Sequence, residues 1–153
     1  MSAVSLRPVR ETDLPIFFVY QRDPESLFMS GVTPRENDAF LRHWRSLLDN
    51  PRVLLRTVLA GDALAGNVMS FDYEGRREVG YWLGREFWGK GIASTALAAF
   101  LTVEPTRPLY GAVATHNAAS FRVLQKCGFR PCRELDEAGA GESVKRLMFE
   151  LRG

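Results

Sequence analysis

The chain has 153 residues, 20 of them basic and 18 acidic for a net charge of +2, with 46% hydrophobic and 25% charged residues. That length suits one domain able to bury about two thirds of the surface its unfolded chain would expose, and the composition excludes a disordered or fibrous chain. Near-balanced charge without a long like-charge run speaks against nucleic-acid binding, and two cysteines (Cys127, Cys132) with two histidines (His43, His116) give neither a disulfide framework nor an expected metal site.

The weakly polar run 92–103 is shorter than the ~20 residues of a membrane span, and MSAVSLRPVR has no apolar signal core. A cytoplasmic protein without membrane association is expected. In chain order, residues 4–9 are short and β-prone, and Thr12, Asp13 and Pro15 supply helix-start chemistry ahead of the apolar run 16–20. Thr33-Pro34-Arg35-Glu36 has the form of a capping box, with Thr33 as cap, Pro34 as first helical residue and Glu36 reaching back. Phe40, Leu41, Trp44, Leu47 and Leu48 then recur at helical spacing until Asn50-Pro51 stops the helix.

From residue 52 the period changes to two. RVLLRTVLA, a turn at Gly61-Asp62, ALAGNVMSFDY, a turn at Glu74-Gly75-Arg76 and REVGYWLG predict an antiparallel three-stranded meander. Residues 92–102 are Ala- and Leu-rich and predict a helix; Pro105 and Pro108 bracket a break before the strand LYGAVAT. NAASFRVLQK (117–126) predicts a helix capped by Asn117 and ended at Gly128. Residues 129–134 and 144–151 are expected as final strands around a polar loop, 135–142. There is no internal repeat and no linker. The order β α α β β β α β α β β predicts one α/β domain over 1–153, a mixed sheet with helices on its faces.

FWGKGIAS (87–94) sets Gly89 and Gly91 around Lys90 at a strand-to-helix junction. A helix N-terminus carries unpaired N–H groups and partial positive charge, so glycines there let a phosphate approach the amides. Lys90 and Arg85 would add cations suited to a pyrophosphate. The same glycines equally permit a tight connection, with Phe87 and Trp88 plugging the core. A Gly-x-Gly-x-x-Gly fingerprint would need glycine at Ser94, and the four-residue gap of a P-loop is absent, which disfavours dinucleotide and nucleoside-triphosphate sites.

GYWLGREFWGKGIASTAL and THNAASFRVLQKCGF together resemble the two signature regions of the GNAT superfamily of acyl-CoA-dependent N-acyltransferases, in particular its RimJ/RimL-like branch, and RPVRETDL resembles that branch's opening. The resemblance implies the GNAT fold, a central, twisted, mostly antiparallel sheet of about six to seven strands with helices on both faces. It implies acetyl-CoA as co-substrate. The family's Gln/Arg-x-x-Gly-x-Gly/Ala loop falls on Glu86, Phe87, Trp88, Gly89, Lys90 and Gly91, so the backbone of Trp88, Gly89, Lys90, Gly91, Ile92, Ala93 and Ser94 would hold the pyrophosphate. Glu86 stands where Gln or Arg is usual, and Thr95 where the branch commonly has Glu; backbone amides do not depend on either. Tyr81, Trp82 and Leu83 would run beside the pantetheine arm, and Gly80 marks a bulge, a close approach or a packing gap. Asn117 and Ser120 match the second signature, as coenzyme contact and as neighbour of the thioester, while serving equally as helix cap and first-turn polar residue. Lys126 would reach the phosphates or simply favour its helix dipole.

Acyl transfer from a thioester needs a neutral amine, a polarised carbonyl and a protonated leaving thiolate. An α-amine ionises near pH 8 and a lysine amine near about 10.4, so an N-terminal or similarly weakly basic amine is the easier acceptor. Glu78 is the first candidate base, because alternation places it on the face of Gly80 and Trp82; it is also an ordinary strand-start carboxylate beside Arg76 and Arg77. Glu137 is the second. Many relatives have a tyrosine acid where this chain has Leu124, so Ser120 or water must protonate the thiolate, or positioning and strand amides suffice. Cys127 reads as a small buried hydrophobe, not an acyl-enzyme nucleophile. The expected function is transfer of acetyl from acetyl-CoA to a primary amine, on a protein N-terminus or a small molecule, in a ternary complex. A metabolite or antibiotic amine acetyltransferase and a non-catalytic acyl-CoA-binding module are the alternatives. Residues 22–35 and the late loop would choose the acceptor, with Phe28, Met29 and Tyr20 as pocket or core residues. The chain is expected as a monomer or homodimer.

Overall fold

In a computed structural model that describes residues 3–139 and 142–153, with the backbone alone at 136–139 and 142–144, β1 (Val4–Arg7) pairs antiparallel with β2 (Leu54–Ala60). β2, β3 (Ala63–Tyr73) and β4 (Arg76–Leu83) form the meander that the two-residue period predicts. β5 (Leu109–Ala114) joins β4 in parallel, and β7 (Glu142–Leu151) and β6 (Arg130–Gly139) complete a seven-stranded sheet ordered β1-β2-β3-β4-β5-β7-β6.

Alternation along the strands divides the core. Val58, Val68 and Val79 face α4 (Ile92–Leu101) and α5 (Ala118–Lys126), while Leu55 and Met69 face α1 (Leu14–Gln21) and α3 (Asn37–Asp49). Helices therefore cover both faces of an α/β sheet, the GNAT architecture.

Three expectations are corrected. A helix, α2 (Pro24–Ser30), lies within residues 22–35, where the expected order of elements has none before the capping box. The Asp23 carboxylate caps it, accepting from the Ser26 N–H at 3.0 Å and the Ser26 hydroxyl at 3.1 Å; Pro24 opens the first turn and Gly31, at φ 69°, closes the last. The next helix starts at Asn37 rather than Pro34: Gln21 Nε2 donates to the Arg35 carbonyl at 3.3 Å and Arg22 pairs with Glu36 at 3.6 Å, which holds this stretch extended. The expected loop 135–142 is mostly hairpin, with pairing from Leu135↔Arg146 to Gly139↔Glu142. β6 is an edge strand, with a neighbour on one side only, and charged residues are common on such edges, so polar composition does not prevent pairing. Glu137 thus lies on the β6 backbone, and its side chain lies outside the described residues.

Two buried carboxylates brace the sheet. Asp13 accepts from both Arg7 terminal nitrogens at 2.8 Å, the Arg10 N–H at 2.9 Å and the Thr57 hydroxyl at 2.7 Å. Glu104 accepts from Arg77 Nε at 2.8 Å and the Thr106 N–H at 3.1 Å. Among the described residues no helix is long and apolar enough to cross a membrane.

Candidate functional site

The registered pairing of β4 with β5 consists of Glu78 opposite Tyr110 and, among the described residues, does not continue to Tyr81, Trp82 and Leu83. Beyond that join lies a cavity of about 450 Å³. Tyr81, Trp82 and Leu83 form one wall and the turn Phe87, Trp88, Gly89 and Gly91 another, continued by Ile92, Ala93 and Ser94 of α4. Asn117, Ala119, Ser120, Arg122, Val123 and Lys126 line it from α5 and its cap, and Ser26, Met29 and Ser30 from α2.

The turn has the geometry of an anion cradle. Gly89 (φ 72°) and Gly91 (φ 75°) are both left-handed, and a Cβ at either would meet no atom within 4 Å, so the turn's outer side is open. Gly91 caps α4 without a side-chain hydrogen bond, and Thr95 N–H makes the bond to its carbonyl at 3.2 Å. The first-turn amides of α4 are thereby left for a ligand. Ser94 and Thr95 hydroxyls both donate to the Gly91 carbonyl, at 3.2 and 2.9 Å, so they fix the turn. Trp88 Nε1 donates to the Leu83 carbonyl at 3.2 Å and pins the turn to β4. Arg122 and Lys126, one helical turn apart and exposed, supply the cations of the lining.

Two expected cations lie elsewhere. Lys90 is exposed between the glycines and outside the lining, and Arg85 pairs with Asp23 at 3.4 Å and Glu25 at 3.5 Å on α2. Arg122 went unnoticed in the sequence, though its spacing of four from Lys126 was the available signal.

Ser120 sits where its N–H donates to Asn117 Oδ1 at 3.2 Å, so Asn117 does cap α5 while lining the cavity. The Ser120 hydroxyl is hydrogen-bonded to the Tyr81 hydroxyl. Burial drives the Tyr81 phenol up to about 12, against a smaller opposing effect of that hydrogen bond. Leu124 is 1% exposed, within the core.

Glu78 is not brought to the cavity. It is buried at the β4–β5 join, where the sheet is still closed, and Arg76 Nε holds its carboxylate at 2.6 Å. Among the described residues no Asp, Glu or His lines the cavity. Gly80 makes no bulge: it pairs in register with Met69, and a Cβ there would meet only Phe71 at 3.7 Å. The close approaches are at Gly66, where a Cβ would stand 2.0 Å from the Trp82 carbonyl oxygen, and at Gly84, 2.6 Å from the Tyr20 ring. Tyr20 is a brace, its hydroxyl donating to the Leu64 carbonyl at 2.7 Å and its own carbonyl accepting from Trp82 Nε1 at 3.1 Å. Met29 lines the cavity, whereas Phe28 is 69% exposed. The half-buried Cys127 thiol donates to the Ser94 carbonyl at 3.4 Å, and burial pushes it up, away from the thiolate form.

An open amide turn, two rim cations and an uncharged strand end fit an elongated ligand with phosphates at one end, as coenzyme A has. The family model of the acetyltransferase (GNAT) domain matches residues 4–130. An uncharacterized N-acetyltransferase, p20, of Bacillus licheniformis is 24% identical over 97% of this chain and 92% of its own length. Among solved structures, the RimL ribosomal L7/L12 alpha-N-protein acetyltransferase in complex with coenzyme A superposes with a TM-score of 0.84 at 19% identity, covering 97% of this chain and 93% of that one. The spermidine N-acetyltransferase of Vibrio cholerae, in complex with CoA and spermine, gives 0.78 at 22% identity over 96% and 95%. With a family model spanning most of its length and the glycine turn, strand end and Asn117–Ser120 cap meeting at one cavity, the chain belongs to the GNAT family of N-acetyltransferases.

Proposed function

We propose that the protein moves an acetyl group from acetyl-CoA directly to a weakly basic primary amine, the α-amine of a protein N-terminus being the acceptor that suits the site best. The observation that carries this reading is the absence of any Asp, Glu or His from the described lining of a cavity on which the glycine turn and Ser120 converge. With no such base among the described lining residues, an acceptor that arrives already neutral suits the site best. At pH 7 roughly a tenth of an α-amine is neutral, against less than a thousandth of a lysine amine.

In this reading the amides of Trp88, Gly89, Lys90, Gly91, Ile92, Ala93 and Ser94 hold the pyrophosphate, Arg122 and Lys126 offset its charge, and Tyr81, Trp82 and Leu83 flank the pantetheine arm. Bound acetyl-CoA supplies the activated acyl group. Trp88, Met29 and Phe87 shield the arm from water, and the Ser120 hydroxyl carries the proton that the departing sulfur needs.

Calorimetric titration with acetyl-CoA, beside ATP and NAD, tests the reading. Micromolar binding selective for acetyl-CoA and lost in Gly89→Asp, followed by turnover of a free-N-terminus peptide faster than of spermidine, is expected. No binding of acetyl-CoA overturns the transferase reading; faster turnover of spermidine overturns the assignment of the acceptor.

A further inference from the structure

Tyr81 and Ser120 are 39 residues apart in sequence and lie on opposite walls of the cavity, yet their hydroxyls share a hydrogen bond. The Tyr81 oxygen is also 3.4 Å from the Ser120 carbonyl oxygen, so the phenol lies over the first turn of α5. With a leucine buried at 124, the hydroxyl that meets Ser120 in this cavity comes from β4 instead of α5.

We infer that Tyr81 is a positioning residue for Ser120: its O–H donates to Ser120 Oγ, so that the single serine proton is left to point at the departing sulfur. This rests on the assignment of Ser120 as the thiolate's proton donor. A hydroxyl has one proton and two acceptor positions, so occupying an acceptor position of Oγ fixes where its proton goes. The phenol oxygen lies within hydrogen-bond reach of both the Ser120 carbonyl, which can only accept, and Ser120 Oγ, so its proton is directed at Ser120, and burial, which drives the phenol up to about 12, keeps that proton in place. A hydrogen bond received by Oγ also stabilises the negative charge it gains as its proton leaves.

The step balances. The amine nitrogen bonds to the acetyl carbon, and the carbon–sulfur bond breaks with its electron pair on sulfur. The sulfur takes the Ser120 proton, and Oγ recovers through water the proton that the amine sheds. The net change is one proton from amine to thiol, and Tyr81 ends as it began.

Tyr81→Phe keeps the ring and removes the hydroxyl. The expected result is a kcat lowered about tenfold to a hundredfold, with the acetyl-CoA dissociation constant, read by calorimetry, within about twofold of wild type. Ser120→Ala should fall at least as far, and the double variant no further than Ser120→Ala, because the two groups act as one unit. Tyr73→Phe is the control, since that ring is exposed at the far end of β3 against Arg76. A readout independent of turnover is the 13Cζ resonance of Tyr81 in tyrosine-labelled protein, assigned by its loss in Tyr81→Phe; it should move in Ser120→Ala and stay put in Tyr73→Phe. A Tyr81→Phe enzyme as fast as wild type, additive losses in the double variant, or a resonance indifferent to Ser120→Ala would each overturn the inference while acetyl-CoA binding and turnover stand. Failure of the wild-type protein to bind acetyl-CoA would instead defeat the reading of the site, and this inference with it.

Discussion

His116 Nε2 lies 2.6 Å from the carbonyl oxygen of Phe28, and the two rings pack with centroids 4.8 Å apart. Arg146 adds hydrogen bonds to the carbonyls of Ser30 at 3.0 Å and Gly31 at 3.3 Å. The last carbonyls of a helix lack intrahelical partners, so side chains from the β5–α5 junction and from β7 supply them here. The α2 wall of the cavity is held in place by this clasp. His116→Ala should lower stability by about 1 kcal/mol and raise the KM for acetyl-CoA several-fold, measured by thermal melting and steady-state kinetics.

Three glycines separate steric from conformational cost. Gly66→Ala drives a methyl into the Trp82 backbone, 2.0 Å from its carbonyl oxygen, and should cost more than about 3 kcal/mol or prevent folding. Gly91→Ala meets no atom within 4 Å but is left-handed, and should cost about 1 kcal/mol. Gly80→Ala meets only an ordinary contact and should be neutral or stabilising. Urea unfolding of the three variants gives the order directly.

Acid should unfold the protein through Asp13 and Glu104. Burial raises both carboxyls. For Asp13 the Arg7, Arg10 N–H and Thr57 hydrogen bonds outweigh it, and for Glu104 those from Ser70, Arg77 and Thr106 do, leaving each at about 2, below the ordinary 3.8 and 4.5. Because the unfolded chain takes up these protons first, their contribution is complete above about pH 4.5 and is lost as the pH falls towards 2. Each contributes of order 2–3 kcal/mol. Asp13→Asn and Glu104→Gln should each be less stable at pH 7 and flatten the loss of stability on acidification, read by chemical denaturation from pH 7 to 3.

Arg122 and Lys126 differ from Lys90 in lining the cavity. Arg122→Ala and Lys126→Ala should each weaken acetyl-CoA binding several-fold at low ionic strength and less at high salt, because exposed charges are screened. Lys90→Ala should have the smallest effect of the three. Calorimetry at two salt concentrations distinguishes them.

Glu78 and Arg76 form a largely buried pair, 8% and 13% exposed, at the β4–β5 join. Glu78→Gln should cost about 2 kcal/mol of stability and leave the pH dependence of kcat where it is. A shift in that profile would make Glu78 the base.

The features legible beforehand are those governed by neighbours along the chain. A two-residue period marked β2, β3 and β4, because a strand's faces alternate whatever it pairs with. Gly89 and Gly91 marked the turn, because few other residues accept a positive φ there. Asn117 marked the cap of α5 for the same local reason. The helix α2 was legible too, in Asp23-Pro24, Ser26 and Gly31, and went unread because a seven-residue helix has little room for a periodic pattern.

Glu78, Tyr81, Lys90 and Arg122 were decided elsewhere. Alternation put Glu78 on a plausible face, but only the point at which β4 and β5 stop pairing determines which β4 side chains reach the cavity. The hydroxyl beside Ser120 could not be found by spacing, since it comes from a strand 39 residues away. The sequence by itself determined the three-stranded meander, the glycine turn and the capped helix, since propensity, period and backbone conformation act over a few residues. Which side chains converge on the cavity was decided by the order of strands and the packing of α2 and α5 over their ends, which depend on contacts between distant segments.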